Sequence, residues 1–168
     1  RQRRPFRAEA AAAPSSHEEA YAIQDAVARA LHHGIRPDAW KVGAASRDAE
    51  PSPAPIFKAL DSPASWTESP IVELSIEAEL GFVLARDVAQ AEASSVPLDE
   101  AFDFVCATIE VCDARLENYR DAAPLWKLAD SQVNAGLVAG SGRPYGAVDE
   151  YIAIRCEVQV DGRTAFDS

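Results

Sequence analysis

From Ile71 to Ala85 the chain keeps a period of two. Leu74, Ile76, Ala78, Leu80, Phe82 and Leu84 fall on one side, and Glu73, Ser75, Glu77, Glu79 and Gly81 on the other. Such alternation marks an extended strand with one apolar face; wound into a helix, the same apolar residues would scatter around the cylinder. The chain must therefore build a sheet, and one of its strands carries a face rich in carboxylates.

Glu77 and Glu79, two apart, emerge on that face about 7 Å from each other along the backbone and can converge on one ion. A second β-like segment, Ala107–Asp113, puts Ile109 and Val111 on one face and Glu110 with Cys112 on the other. Glu110 interrupts an otherwise apolar run, and an unpaired Glu buried there would be costly. If the two strands are neighbours, three carboxylates meet and need either protons or a cation. All-oxygen ligation suits Mg2+ or Mn2+, and the lack of spaced Cys or His pairs disfavours zinc. Two plainer readings stand beside this one. The acids of 73–79 can be the solvated face of an edge strand, and Glu110 can be salt-bridged to Arg115 or Lys41. Lys41, inside the short apolar strand Ala39–Gly43, can aim its ammonium into a site to hold an anion or relay a proton, or can snorkel to water.

The remaining elements follow from punctuation and period. Ser15 and Ser16 ahead of Glu18 and Glu19, then Ala20, Ile23, Val27, Ala30 and Leu31 up to Gly34, spell a capped amphipathic helix. The Pro/Ser/Ala-rich stretch 46–70 reads as mostly loop, interrupted near 56–60; a long loop is often a working part. Pro97 to Val105 suggests a short helix, 116–130 a loop and a short helix broken at Pro124, 135–139 a strand, 140–146 a turn, and 152–160 a last strand. Asp161-Gly162 should launch a returning strand. Residues 1–14 form an N-terminal arm without sustained period, and 15–168 read as one catalytic domain.

Composition narrows the function. Sixteen Lys and Arg against 27 Asp and Glu leave a net charge of −11, which repels phosphate backbones and anionic lipid surfaces, so neither nucleic acid nor membrane is an expected partner. No apolar run approaches the ~20 residues of a spanning helix. Cys106, Cys112 and Cys156 read as reduced and structural. His17, His32 and His33 sit on or beside the first helix as surface or capping groups, no His follows them, and no Ser/His/Asp set or phosphate-cradling loop is present. No apolar h-region follows Arg1-Gln2-Arg3-Arg4, so a cytoplasmic location is expected, although an opening rich in Arg and Ala also suits a transit peptide. With no Met and a strand launched near its end, the chain reads as part of a longer polypeptide, incomplete at the C-terminus.

Taken in order, Ala20-Tyr21-Ala22-Ile23-Gln24, Trp40-Lys41-Val42-Gly43, Ile76-Glu77-Ala78-Glu79-Leu80, Ile109-Glu110-Val111-Cys112-Asp113-Ala114-Arg115 and Leu128-Ala129-Asp130 resemble the 2-keto-4-pentenoate hydratase and 2-oxo-3-hexenedioate decarboxylase branch of the fumarylacetoacetate hydrolase superfamily. The likeness runs from about 18 to 142. It implies an α+β fold, a mixed β-rich core (a β-roll) with flanking helices, in a homo-oligomer. It also implies that Glu77, Glu79 and Glu110 hold Mg2+ or Mn2+, and that Lys41 and Asp130 belong to the pocket of a small 2-oxo or 2-hydroxy-dienoic acid, with Lys41 catalytic. The implied activity is hydration of a 2-hydroxy-2,4-dienoate to a 4-hydroxy-2-oxo acid, in breakdown of aromatic compounds. The alternatives are decarboxylation of a 2-oxo-3-enedioate, C–C bond hydrolysis, and a non-catalytic acidic binding domain. The chain departs from the family after Asp130, where Ser131-Gln132-Val133 replaces Asn-Ala-Ser.

Overall fold

The computed structural model describes residues 4–7, 12–147, 151 and 153–167. Ile152 and residues 1–3 and 8–11 of the arm lie outside the described residues. In chain order the elements are α1 (His17–His32), β1 (Ala39–Gly43), β2 (Ser52–Ile56), β3 (Ala59–Asp61), β4 (Leu74–Leu84), α2 (Leu98–Ala101), β5 (Phe102–Asp113), α3 (Pro124–Ala129), β6 (Asn134–Ala139), β7 (Arg143–Pro144), β8 (Glu157–Val160) and β9 (Arg163–Asp167). β1 and β2 form an antiparallel ribbon, β8 and β9 another, and the main sheet runs β3-β6-β5-β4 with β7 paired to β5. No helix among the described residues is long and apolar enough to cross a membrane.

Two compact units share the chain. The first comprises Arg1–Leu60, Ala64–Glu77 and Glu110–Val138; the second comprises Asp61–Pro63, Ala78–Ile109 and Ala139–Ser168. In the first unit, α1 starts where the sequence places it: the Ser16 hydroxyl accepts the N–H of Glu19 at 3.1 Å, and the Glu19 carboxylate takes the N–H and hydroxyl of Ser15. Such a cap contributes about 1 kcal/mol. The helix ends at His33, whose left-handed backbone (φ 53) sends its N–H back to the Arg29 carbonyl. Ala20 of α1 packs on Leu128 and Ala129 of α3, flanked by Tyr21, Ile23, Leu125 and Trp126, and Gln24 donates to the Leu128 carbonyl at 2.9 Å. Phe6 of the arm is docked here as well. It bridges Leu116 in parallel and its ring lies 5.4 Å from that of Trp126.

Several elements differ from the sequence expectation. The stretch read as loop contains β2, whose Pro53 and Pro55 pair opposite Val42 and Trp40. Two prolines at i and i+2 drop their missing N–H groups on one side of a strand, and a two-stranded ribbon has a side that needs none. The helix proposed for 97–105 shrinks to four residues, because Phe102 to Val105 belong to β5, a strand of the main sheet. Pro124 opens α3 instead of breaking a helix, at the position where a proline's lack of N–H loses nothing. The strand read over 152–160 is β8, which begins at Glu157.

In the second unit, Asp161 (φ 51) and Gly162 (φ 73) form the left-handed turn that returns β8 into β9, as an Asp-Gly pair should. Phe82, Phe102, Tyr145 and Tyr151 gather at centroid distances of 5.3–6.0 Å into that unit's aromatic cluster.

Gly136 of β6 is required by close approach. A Cβ there would stand 2.6 Å from the Trp66 ring and 2.8 Å from the Lys58 carbonyl oxygen, while Lys58 caps the Trp66 ring at 4.1 Å and pairs with Glu68. Gly136→Ala is expected to destabilise by about 1–3 kcal/mol through overpacking and to dislodge Trp66. Urea unfolding together with indole emission checks both.

Candidate active site

Glu110 is completely buried and lies in β5, the strand that alternation assigned to it. An isolated ionised carboxylate there would cost several kcal/mol, so its neighbours decide whether the fold is viable. Lys41, which β1 carries and which is itself 9% exposed, brings its Nζ to 2.6 Å from Glu110 Oε2 and 3.6 Å from Glu77 Oε2. Oε2 receives no hydrogen bond of good direction, so the ammonium holds it by charge. The other oxygen, Oε1, accepts the Asn134 amide at 3.1 Å and the Cys112 thiol at 3.5 Å. The plainer reading of Glu110 is thus realised, with Lys41 and not Arg115 as its partner.

The structure brings Glu77 and Glu110 together, though not as a pure carboxylate trio. Carboxylate oxygens of both lie with the Cys112 sulfur within 4.8 Å of one another. Glu79 is outside this group; it stands on β4 within the second unit. Glu77 is 54% exposed at its side chain and sits on the edge strand of the main sheet. Cys112 was legible as a neighbour of Glu110, since two residues apart in a strand means one face, but a thiol in an apolar run carries no signal of its own. Asn134 gave none, because nothing local says which strand its amide will meet.

Charge explains the state of the thiol. Burial first, then the charges of Glu110 and Glu77, push Cys112 up to about 12, with Lys41 pulling back. The sulfur is therefore a protonated donor to Glu110 and not a nucleophile.

Asp130, the other residue expected in the pocket, is engaged by Arg115 from three sides. Arg115 Nε donates to Asp130 Oδ1 in a short ion pair, the Arg115 backbone N–H donates to Oδ2 at 2.9 Å, and Nη2 donates to the Asp130 carbonyl. Burial raises the Asp130 carboxyl while the guanidinium opposes it. Arg115 Nη1 continues to the Asn134 carbonyl at 2.8 Å, so Arg115, Asp130 and Asn134 form one support behind Glu110. Between Asp130 and Asn134, Ser131, Gln132 and Val133 all adopt positive φ of 52–58°. Gln132 donates to the Ser52 carbonyl, and its Oε1 would stand 2.8 Å from a Cβ on Gly43. His32 stacks on Phe57 at 3.8 Å, and burial, with the charges of Arg115 and His33, lowers its pKa.

Fold and site together define a mixed α+β protein with a buried lysine–carboxylate–thiol cluster. No family model matches the chain, and no curated protein matches it. Solved structures of the same fold do. One is the 4-oxalocrotonate decarboxylase from Pseudomonas putida G7 complexed with magnesium and adipate, at 20% identity and TM-score 0.54 over 74% of this chain and 51% of that one. Another is that enzyme complexed with calcium and acetate, at 21% identity and TM-score 0.52 over 74% and 50%. The chain spans about half the length of these structures, and they show that it has the mixed α+β architecture that the sequence resemblance implies.

Two outcomes follow from the cluster. Lys41→Met leaves a buried carboxylate without its counterion and should destabilise by about 3–5 kcal/mol, whereas Glu77→Gln, on an exposed group, should shift stability by less than about 1 kcal/mol; urea titration in metal-free buffer distinguishes them. For Cys112 the folded thiol holds its proton more tightly than the unfolded one. Its contribution to stability is therefore whole below about pH 9 and fades as pH rises toward 12. Native protein should resist iodoacetamide at Cys112 at pH 9, where unfolded protein is alkylated, as peptide mass spectrometry will report.

Proposed function

We propose that the chain is the catalytic part of a metal-dependent lyase of the fumarylacetoacetate hydrolase superfamily, which hydrates a small 2-hydroxy-2,4-dienoate to a 4-hydroxy-2-oxo acid. The observation that carries this reading is Glu110: a carboxylate with no exposure, facing both the Lys41 ammonium and the Glu77 carboxylate. A purely structural ion pair has no need of a second acid 3.6 Å from the lysine nitrogen.

The donor set suits a hard divalent ion. Glu77 and Glu110 supply carboxylate oxygens from two strands and, in this proposal, would hold Mg2+ or Mn2+. When bound, such an ion offers Lewis-acid stabilisation of negative charge that develops on the 2-oxygen of an oxo acid. Lys41 does the rest of the electrostatic work. Its ammonium, anchored by Glu110, faces an anionic substrate with a fixed charge and can hand over or take back a proton at the dienol. Asp130 shapes the pocket wall through Arg115 and Asn134. A homo-oligomer in the cytoplasm completes the proposal.

Decarboxylation of a 2-oxo-3-enedioate is the second reading, and the fold likeness to a 4-oxalocrotonate decarboxylase supports it. Both reactions build negative charge on the same 2-oxygen, so one cluster serves either. Isothermal titration should show Mn2+ binding to the wild type and at least about 10-fold weaker binding to Glu110→Gln. Steady-state assays with Mn2+ on a dienoate and an oxo-enedioate should find turnover of one of them, lowered by about 10²–10⁴ in kcat for Lys41→Met. Equal Mn2+ affinity in Glu110→Gln, or no turnover of either class, removes the proposal.

A further inference from the structure

Asp113 closes β5 three residues beyond Glu110, and it is 4% exposed. Its carboxylate gathers three consecutive backbone amides: Oδ2 accepts the N–H of Ile71 at 2.6 Å, and Oδ1 accepts those of Val72 at 3.0 Å and Glu73 at 3.3 Å. These are the last residues before β4, the strand that carries Glu77. Glu73 is held a second time, through its own carboxylate, by Arg120 at 2.8 Å.

The alternation of residues 74–84 suffices to make β4 a strand, but it does not say where along its partner the strand begins. Burial, the usual guardian of register, is weak here: β4 is the edge strand of the main sheet and most of its residues are exposed. A slip of one residue would turn Glu77 to the opposite face and bring Ile76 to its place. The three clamped amides prevent that slip. Glu73 and Glu77 share one face by parity, so fixing the first fixes the side from which the second emerges.

We propose that Asp113 is the positioning residue for Glu77: by collecting the amides of Ile71, Val72 and Glu73 it sets the start of β4 and thereby the face on which Glu77 meets Lys41 and Glu110. An ionised Asp suits the task because both of its oxygens only accept. An Asn would present one oxygen and an NH2 group, and one amide would then face a donor. The role of Glu77 toward a divalent ion rests on the function proposed above; the fixing of β4 does not.

The test compares wild type, Asp113→Asn, Asp113→Ala, Glu77→Gln and the double variant Asp113→Asn/Glu77→Gln, with Glu19→Gln at the α1 cap as a comparison remote in sequence. Amide hydrogen exchange is expected to quicken at least 10-fold at residues 71–77 in both Asp113 variants and not in Glu19→Gln. Mn2+ affinity, read by the electron paramagnetic resonance of the free ion, is expected to fall about 10-fold in Asp113→Asn and to stay unchanged in Glu19→Gln. The double variant should bind Mn2+ no more weakly than Glu77→Gln alone, since a residue acting through Glu77 has nothing further to lose once that carboxylate is gone. Unchanged exchange at 71–77, or fully additive losses in the double variant, overturns the inference. If wild type binds no Mn2+, the metal reading falls and the exchange data alone decide the placement of β4. If Asp113→Ala does not fold, Asp113→Asn, which keeps the side-chain shape, carries the measurement.

Discussion

A carboxylate removed wholly from water has to be answered by charge and hydrogen bonds from the protein, because solvation it has lost is worth several kcal/mol. Glu110 is answered from three segments of the first unit: the ammonium of Lys41 on β1, the amide of Asn134 on β6, and the thiol of Cys112 on its own strand. Each partner is itself 9% exposed or less. The ribbon of β1 and β2 and the ends of β5 and β6 are therefore tied at one point by an interaction that tolerates little displacement. The apolar contacts of that unit, such as Ala20 on Leu128 and Ala129, are forgiving by comparison.

Around this pair stands a set of polar supports, from the buried Asp113 to the partly exposed Arg115. Arg115 grips Asp130 and the Asn134 carbonyl, and Asp113 grips the lead-in to β4. Between Asp130 and Asn134 the backbone passes through three left-handed residues, including the β-branched Val133, a conformation that costs of the order of 1–3 kcal/mol per residue. It persists because both ends and the middle are held: Asp130 by Arg115, Asn134 by Glu110, and Gln132 by the Ser52 carbonyl. The second of these contacts has the Asn134 amide donating to Glu110.

Much of this was legible along the chain, for identifiable reasons. The period of two in 74–84, the capping residues of α1 and the Asp-Gly turn are local signals, and the structure follows all three. Glu110 stood out because a Glu in an apolar run needs a partner somewhere, and parity put Cys112 beside it. What misled were signals whose meaning depends on neighbours distant in sequence. Pro53 and Pro55 look like loop residues until β1 is known to lie on their other side. Phe102 and Val105 keep helical spacing, yet the main sheet claims them. Asn134 and Asp113, which fix the cluster, are ordinary polar residues until the strands that receive their hydrogen bonds are in place.

The sequence by itself determined the strand at 74–84, the strand at 39–43, the cap of α1, the Asp-Gly turn and the need for a positive partner to Glu110, since each of these follows from the chemistry of residues a few positions apart. The tertiary structure alone decided that the partner is Lys41, that Asn134 joins Cys112 around the carboxylate, and that Asp113 sets the start of β4. Those pairings join residues 24 to 69 positions apart or more finely divide one strand's face, and a choice among many possible partners is settled only when closing the chain makes one set of contacts compatible with all the others.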